Sequence, residues 1–513
     1  MKTKIQKTAC LWAALLFATA AFGQVSIDWQ QCYGSYGHDG GYGIQPLGDG
    51  YRVLGVTSER NGMCQCGDYH GAWIFDLSPD LAIKRQRCRE YSMPAKLVKN
   101  DVGEIFQVSE QHGGSSWLSI SKLDDEGFDV WNAWLEANLE YSSPYALATA
   151  TPDGGVAAAA TIAGNEGVVS NYFGGNDCWV VKIDADGQLQ WQRTLGTQGD
   201  ETILCLLNAR DGGLLVGIYI QETSAGNIGC DNGYSNILVK LDSGGNIEWN
   251  RCFPTVAFSD MIEYEDGYLL AGSCADAYGS HDCALMRCDL EGNIQWIKSY
   301  GGSGEETVVR VFEDGPKGYT VFGNTTSVNG DLASAAHLGN PANEQGNIWV
   351  FHVDELGDLQ WERCIGSAIG LQENVSDVVK TDEGRFLLVG SMTWFAEESS
   401  GDVHCTNSAL IPNSKTDIWV LQITAEYDDT GATGLSDKNV EVRPNPATGQ
   451  VTVIGKGIQQ VEIHNLLGLR VVSVEGHSVE SLAISLEGLP EGVYLVSVQL
   501  GDGKRHEKKL VVR

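Results

Sequence analysis

Five places in the chain put carboxylates where they could act together: Asp39, Asp200 with Glu201, Asp260, Glu305 with Glu306, and Glu373. Converging carboxylates can hold a cation, a basic side chain or the hydroxyls of a sugar. Two of them at the right separation can serve as the acid/base pair of a glycosidase. The competing role is local, with each acid accepting N–H groups of its own loop. His281-Asp282-Cys283 joins three reactive residue types, but with no visible partner to orient the imidazole it reads as a loop histidine beside a bonded cysteine. Asp184 and Asp186 would suit calcium, though a short Asp/Gly turn more simply bonds its own backbone as an Asx turn. No other cofactor is implied. The strings H-E-x-x-H, G-x-S-x-G and G-x-x-x-x-G-K-[ST] are absent from the sequence.

The chain has 14 cysteines. In an exported protein disulfides are the expected state. Cys32, Cys88, Cys252 and Cys364 each stand three residues after a recurring Trp or Arg position, while Cys64, Cys66, Cys230 and Cys405 precede the strand that pairs with it. This spacing makes Cys230–Cys252 a candidate bridge, with Cys88 to Cys64 or Cys66, and Cys32 to Cys405. Cys364 is left without a partner by this rule, and Cys178, Cys205, Cys274, Cys283 and Cys288 are unassigned. Cys64-Gln65-Cys66 with His70 is only a fragment of a zinc set, so a disulfide is the expected use.

The elements that position these residues repeat. Trp179-Val180-Val181-Lys182-Ile183-Asp184 leads through Gly187 to Trp191, and Trp349-Val350-Phe351-His352-Val353-Asp354 leads through Gly357 to Trp361. The second position recurs as Trp29, Arg85, Trp131, Trp191, Trp249, Trp296 and Trp361. The first recurs as Trp73, Trp117, Trp179, Ile237, Ala284, Trp349 and Trp419. A Gly turn before a short apolar run recurs equally often, as at Gly50, Gly154, Gly212 and Gly267. Each unit reads as four antiparallel strands. The expected fold is all-β, a seven-bladed β-propeller over residues 24–425. Residues 25–33 supply the strand missing from the last blade and close the ring. In such a ring the loops between blades, where the acids lie, gather around the mouth of the central channel.

The repeats resemble those of secreted bacterial propellers, most clearly in Gly292-Asn293-Ile294-Gln295-Trp296 running to Tyr300-Gly301-Gly302-Ser303-Gly304-Glu305-Glu306. That resemblance covers roughly residues 25–425 and implies a fold, since propellers host many unrelated activities. The C-terminal segment, 436–513 after a linker at 426–435, carries three motif blocks. These are Pro444-Asn445-Pro446, then Val461-Glu462-Ile463-His464-Asn465 with Leu467-Gly468, then Gly492-Val493-Tyr494. It resembles the type A sorting domain of the bacterial type IX secretion system. The resemblance implies handling by that machinery, passage across the outer membrane, removal of the domain, and then release or attachment to a surface lipopolysaccharide. Its alternating strands read as a small immunoglobulin-like β-sandwich.

Residues 1–23 read as a signal peptide, with Lys2, Lys4 and Lys7 ahead of an apolar core. Nothing else is apolar enough for a transmembrane span. The net charge is −33, and the excess acid lies in the repeats, because residues 435–513 balance acids against bases. That field repels nucleic acid and anionic membranes. The reading is a monomeric binding module, secreted or held on the outer surface, for a protein or glycan ligand. A polysaccharide-active propeller enzyme and a purely structural surface protein are the alternatives.

Overall fold

The computed structural model describes residues 24–35, 37–58, 71–90, 92–111, 116–140, 146–221, 226–230, 236–253, 256–274, 281–314, 318–332, 334, 346–367, 373–394, 402–403, 415–426, 440–443, 447, 449–465, 470–486, 488–490, 492–501 and 505–512. Residues 1–23, Cys64, Cys66, His70, Cys405, Pro444, Asn445, Pro446 and Gly468 lie outside the described residues. Val25–Ala425 forms one compact unit, and Glu426–Arg513 belongs to a second.

Among the described residues the first unit holds seven four-stranded antiparallel sheets. The N-terminal strand β1 (Gln24–Tyr33) is set aside for the last of them. The first sheet is β2 (Asp39–Leu47), β3 (Gly50–Thr57), β4 (Gly71–Leu77) and β5 (Ile83–Glu90). Next come β6 (Ser92–Lys99), β7 (Ile105–Gln111), β8 (Trp117–Leu123) and β9 (Asp129–Glu136), then β10 (Leu147–Ala150), β11 (Val156–Ile162), β12 (Asp177–Ile183) and β13 (Leu189–Leu195). They are followed by β14 (Glu201–Asn208), β15 (Leu214–Ile220), β16 (Asn236–Leu241) and β17 (Ile247–Phe253), and by β18 (Val256–Tyr264), β19 (Gly267–Cys274), β20 (Asp282–Asp289) and β21 (Ile294–Tyr300). The sixth holds β22 (Glu306–Glu313), β23 (Gly318–Thr325), β24 (Asn347–Asp354) and β25 (Leu359–Ile365). The last runs β26 (Glu373–Lys380), β27 (Phe386–Trp394), β28 (Lys415–Glu426) and then β1.

First strands touch first strands all the way round: β2 on β6, β6 on β10, and so on to β26, which returns to β2. The arrangement is that of a β-propeller. The core lies between neighbouring sheets. Ala157, Ala159, Val180 and Cys178 of one sheet pack on Val216, Ile218, Ile237 and Val239 of the next. Strands with a sheet on both faces have no solvent side, so they read as continuous apolar runs rather than alternating ones. Val156–Ile162 and Asp177–Ile183 are buried at every position. The outermost strands are mostly exposed or half-buried, as in Ile247–Phe253.

The Trp repeat has two separate jobs. The first Trp is buried, and its indole N–H bonds a residue of the fourth strand, Trp73 to Gln86 and Trp179 to Gln192. The second Trp reaches the next sheet. Trp131 Nε1 donates to Ala185 O and Trp191 Nε1 to Ser243 O, both at 2.9 Å. Under the Trp191 indole lies Gly245, with φ of +79°, where a Cβ would stand 2.6 Å from the ring. Gly is required there for conformation and for space together. In the first sheet Arg85 stands in the Trp position, and the cleft over Gly127 is filled by Arg52. Trp117 is not in the first-Trp position. Register places Ser119 opposite Trp134, as Trp179 is opposite Thr194, and Ser119 bonds Asn132 in place of the Trp–Gln pair.

The second unit contains β29 (Val440–Arg443), β30 (Gln450–Asn465), β31 (Arg470–Ser485), β32 (Gly492–Leu500) and β33 (Arg505–Val512), in the order β29-β30-β32-β33 with β31 paired to β30. Val451, Val453, Val461, Ile463, Val496, Val498 and Leu510 form its core. Gly492 opens β32, and the Tyr494 hydroxyl donates to Pro490 O at 2.8 Å.

Candidate functional site: the charged wall of the central cavity

The first strands carry one shared irregularity. In β2, β6, β14, β18, β22 and β26 the register with the second strand slips by one residue near the middle. A β-bulge of this kind re-aims the side chains beside it. The residue after each slip is Gly43, Lys96, Cys205, Asp260, Arg310 or Asp377. Four of the six are charged, and they meet.

Asp377 Oδ1 accepts from Lys96 Nζ at 3.0 Å and from Arg310 Nη2 at 2.9 Å. Arg310 Nη1 donates to Asp260 Oδ1 at 3.0 Å, and Asp260 Oδ2 accepts the Val311 N–H at 2.9 Å. The order is thus Lys96, Asp377, Arg310, Asp260, with two charges of each sign. Burial alone would push the Asp377 carboxyl up, but Lys96 and Arg310 outweigh it and hold it below the usual range. Burial and the neighbouring Arg310 lower the Lys96 ammonium, against the pull of Asp377. Burial opposes the charge on Arg310, and Asp377 and Asp260 overcome it, so the guanidinium is raised.

These groups face a cavity of about 460 Å³. Its wall includes Lys96, Asp260 and Arg310, Ser259 and Ser376, and the apolar Leu147, Leu204, Phe258 and Val308. A few placed polar groups on an apolar wall is the composition of a small-ligand pocket. The wall can accept hydroxyl or ammonium donors at Asp260 and offer N–H donors from Lys96 and Arg310.

Of the acids singled out by sequence, only Asp260 is in this wall. It is not in a loop before a first strand but inside β18, four residues beyond Val256. The others lie at or just before their strand. Asp39, Glu201, Glu306 and Glu373 are the opening residues of β2, β14, β22 and β26, and all are buried. Three take donors from nearby loop and strand ends: Ser35 N–H and hydroxyl bond Asp39, Thr197 bonds Glu201, and Gly302 N–H and Thr325 bond Glu306. Burial raises the Glu373 carboxyl to about 7, against the pull of Ser367. Asp200 is exposed and accepts the Asn176 N–H. Glu305 is exposed and pairs with His281 Nδ1 at 2.7 Å, so that histidine does have a carboxylate partner. Asp184 accepts the N–H groups of Asp186 and Gln188, as an Asx turn does.

Lys96, Arg310 and Asp377 were not visible as a set in the sequence. The usable signal is a fixed offset. Asp39 to Gly43, Glu201 to Cys205, Glu306 to Arg310 and Glu373 to Asp377 are all four residues apart, so the buried acid that opens a first strand marks the wall position one bulge later.

Cys230 and Cys252 form a disulfide, with Cα atoms 5.6 Å apart. Cys32 and Cys88 are also disulfide-bonded. Cys178, Cys205, Cys283, Cys288 and Cys364 are buried free thiols.

Residues 441–513 match the family described as Secretion system C-terminal sorting domain. The chain is therefore exported by type IX secretion, to the cell surface or the extracellular space. No helix among the described residues is long and apolar enough to cross a membrane. No curated protein matches the chain. Among solved structures it is similar to the extracellular domain of the putative hybrid two component system BT4673 from B. thetaiotaomicron, at 10% identity and a TM-score of 0.38, over 95% of this chain and 60% of that one. It is similar to Sqt1 from Chaetomium thermophilum at 12% identity and a TM-score of 0.39, over 70% of this chain and 96% of that one. The Dos1 propeller is similar at 9% identity and a TM-score of 0.39, over 78% and 96%.

Proposed function

We propose that the chain is an exported seven-bladed β-propeller, closed by its N-terminal strand, that binds a protein or glycan ligand at its central cavity. A small immunoglobulin-like sorting domain delivers it and is then removed. The propeller acts as a monomer. Seven sheets in unbroken succession support the blade number. The observation that carries the binding role is the cavity wall itself. Lys96, Asp260 and Arg310 are brought there by bulges on three different strands, which is more than packing a channel requires. A polar wall of this kind suits a ligand rich in hydroxyl groups or a charged side chain inserted from a partner.

The test is retention of the purified mature protein on arrays of polysaccharides and glycoproteins, with bound glycans sized afterwards by mass spectrometry. Wild type is expected to retain a ligand and leave it full length. Asp260→Asn, with its thermal transition kept, is expected to lose retention at least tenfold. Retention unchanged in that variant moves the site off the cavity. Shortened glycans replace the binding role with a polysaccharide-active enzyme.

A further inference from the structure

A second set of buried carboxyls stands where one sheet hands over to the next. Asp177 opens β12 and Glu201 opens β14, and both are fully buried. A Cβ on Gly196 would collide with Asp177 Oδ1 and stand 2.9 Å from Glu201 Oε2, so the two carboxyls converge over that glycine. Each bears on the proton affinity of the other. Two ionised carboxylates are acceptors only, so a hydrogen bond between them requires a proton on one of them.

The surroundings supply no other solution. Asp177 Oδ2 accepts the Phe173 N–H at 2.7 Å, and Glu201 accepts the Thr197 N–H and hydroxyl, each at 2.6 Å. Asp177 Oδ1 has no hydrogen-bond donor among the described residues. The titratable groups turned toward the pair are Cys178, Tyr172 and Asp200, none of which brings positive charge. The N–H groups aimed inward disfavour a metal cation as the neutralising partner.

We propose that Asp177 and Glu201 hold one proton between them in the folded protein, making this sheet junction an acid-stabilised latch. The arrangement recurs. Asp417 and Asp39 converge over Gly34, and Asp282 and Glu306 over Gly301. At a fourth junction Asn347 takes the aspartate's place over Gly366, and Glu373 opens the next strand. The repeat therefore already accommodates an Asp-to-Asn exchange at this position. Burial raises both carboxyls of the first pair, Glu201 to about 7. A carboxyl raised in the folded state contributes fully below its unfolded value near ~4, and the contribution fades as pH climbs through about 7.

The experiment compares the mature protein with Asp177→Asn by urea unfolding between pH 5 and 8, and by infrared spectroscopy of the protonated-carboxyl C=O stretch at pH 6. Wild type is expected to show the protonated band and the variant to show it weakened. The variant's folding constant is expected to fall less steeply with pH, by up to about tenfold per pH unit for one proton. If Asp177→Asn fails to fold, Glu201→Gln is read in the same way. Equal slopes and an unchanged band overturn the proposal. So does a loss of stability above pH 7 that millimolar calcium cancels and EDTA restores, because a cation would then occupy the proton's place.

Discussion

Trp419 Nε1 donates to Gln30 Oε1 at 3.2 Å across 389 residues of chain. Trp73 with Gln86, Trp179 with Gln192 and Trp349 with Glu362 make the same bond at a separation of 13. The N-terminal strand thus gives the last sheet what other sheets draw from their own fourth strand. Asp28 adds to the seam by accepting from Gln422 and Thr424.

Gln30→Ala should weaken that closure. Trp419 is fully buried, so its N–H would be left without an acceptor. The cost of an unsatisfied buried donor is about 1–3 kcal/mol. Urea denaturation should show the midpoint lowered with the slope kept.

Gly245→Ala should cost more than Gly384→Ala. Both glycines have φ near +79°, at +79° and +78°, but the first lies under the Trp191 indole and the second has open space around it. The backbone term of roughly 1 kcal/mol applies to both. Overpacking of about 1–3 kcal/mol applies only to the first. Calorimetry on the two variants separates the terms.

Breaking Cys230–Cys252 by a double serine substitution should destabilise by about 3 kcal/mol, from the loop of 22 residues that the bridge closes. The buried thiols should behave differently. Burial pushes Cys288 up to about 12 and raises Cys205 further still. At pH 8 they are expected to resist alkylation in the native protein and to react fully in urea, as counted by mass spectrometry.

Asp377→Asn should be a damaging change behind the cavity wall. It would leave the half-buried Lys96 and Arg310 without the anion they share, at a cost of about 1–3 kcal/mol. Asp377 also sets a pH dependence of the opposite sign to the Asp177–Glu201 pair. Its carboxyl is held below the usual range, so its contribution is complete above the unfolded value near ~4 and is lost as pH falls through the lower folded value. Acid unfolding of wild type should therefore be steeper below pH 4 than that of the variant, measured by near-ultraviolet circular dichroism.

The repeat was legible because its residues do one local thing many times. A Trp that must bond across a sheet, and a Gly that must pass under an indole, leave the same letters at the same spacing in sheet after sheet. The exceptions show the limit. Trp117 looks like the first Trp but stands two residues from that position, and Ser119 with Asn132 does the work instead. Arg85 marked a break in the pattern, yet the sequence held no sign that Arg52 would fill the cleft over Gly127 and bond Asp76.

The sequence by itself determined the all-β character, the repeat and the sorting segment, because periodicity and turn chemistry are local properties of the chain. It also pointed to the Cys230–Cys252 bridge, through the alignment of neighbouring strands. The tertiary structure decided which acids face the cavity. Asp39, Glu201, Glu306 and Glu373 share a residue type and a place with a binding site, but they are buried at the sheet junctions, where Asp39, Glu201 and Glu306 each face a second aspartate. Asp260, Arg310, Asp377 and Lys96 come from four separate sheets and meet only because the first strand of each of those four sheets bulges near its middle. That meeting depends on the closure of the whole ring, which no local stretch of sequence encodes.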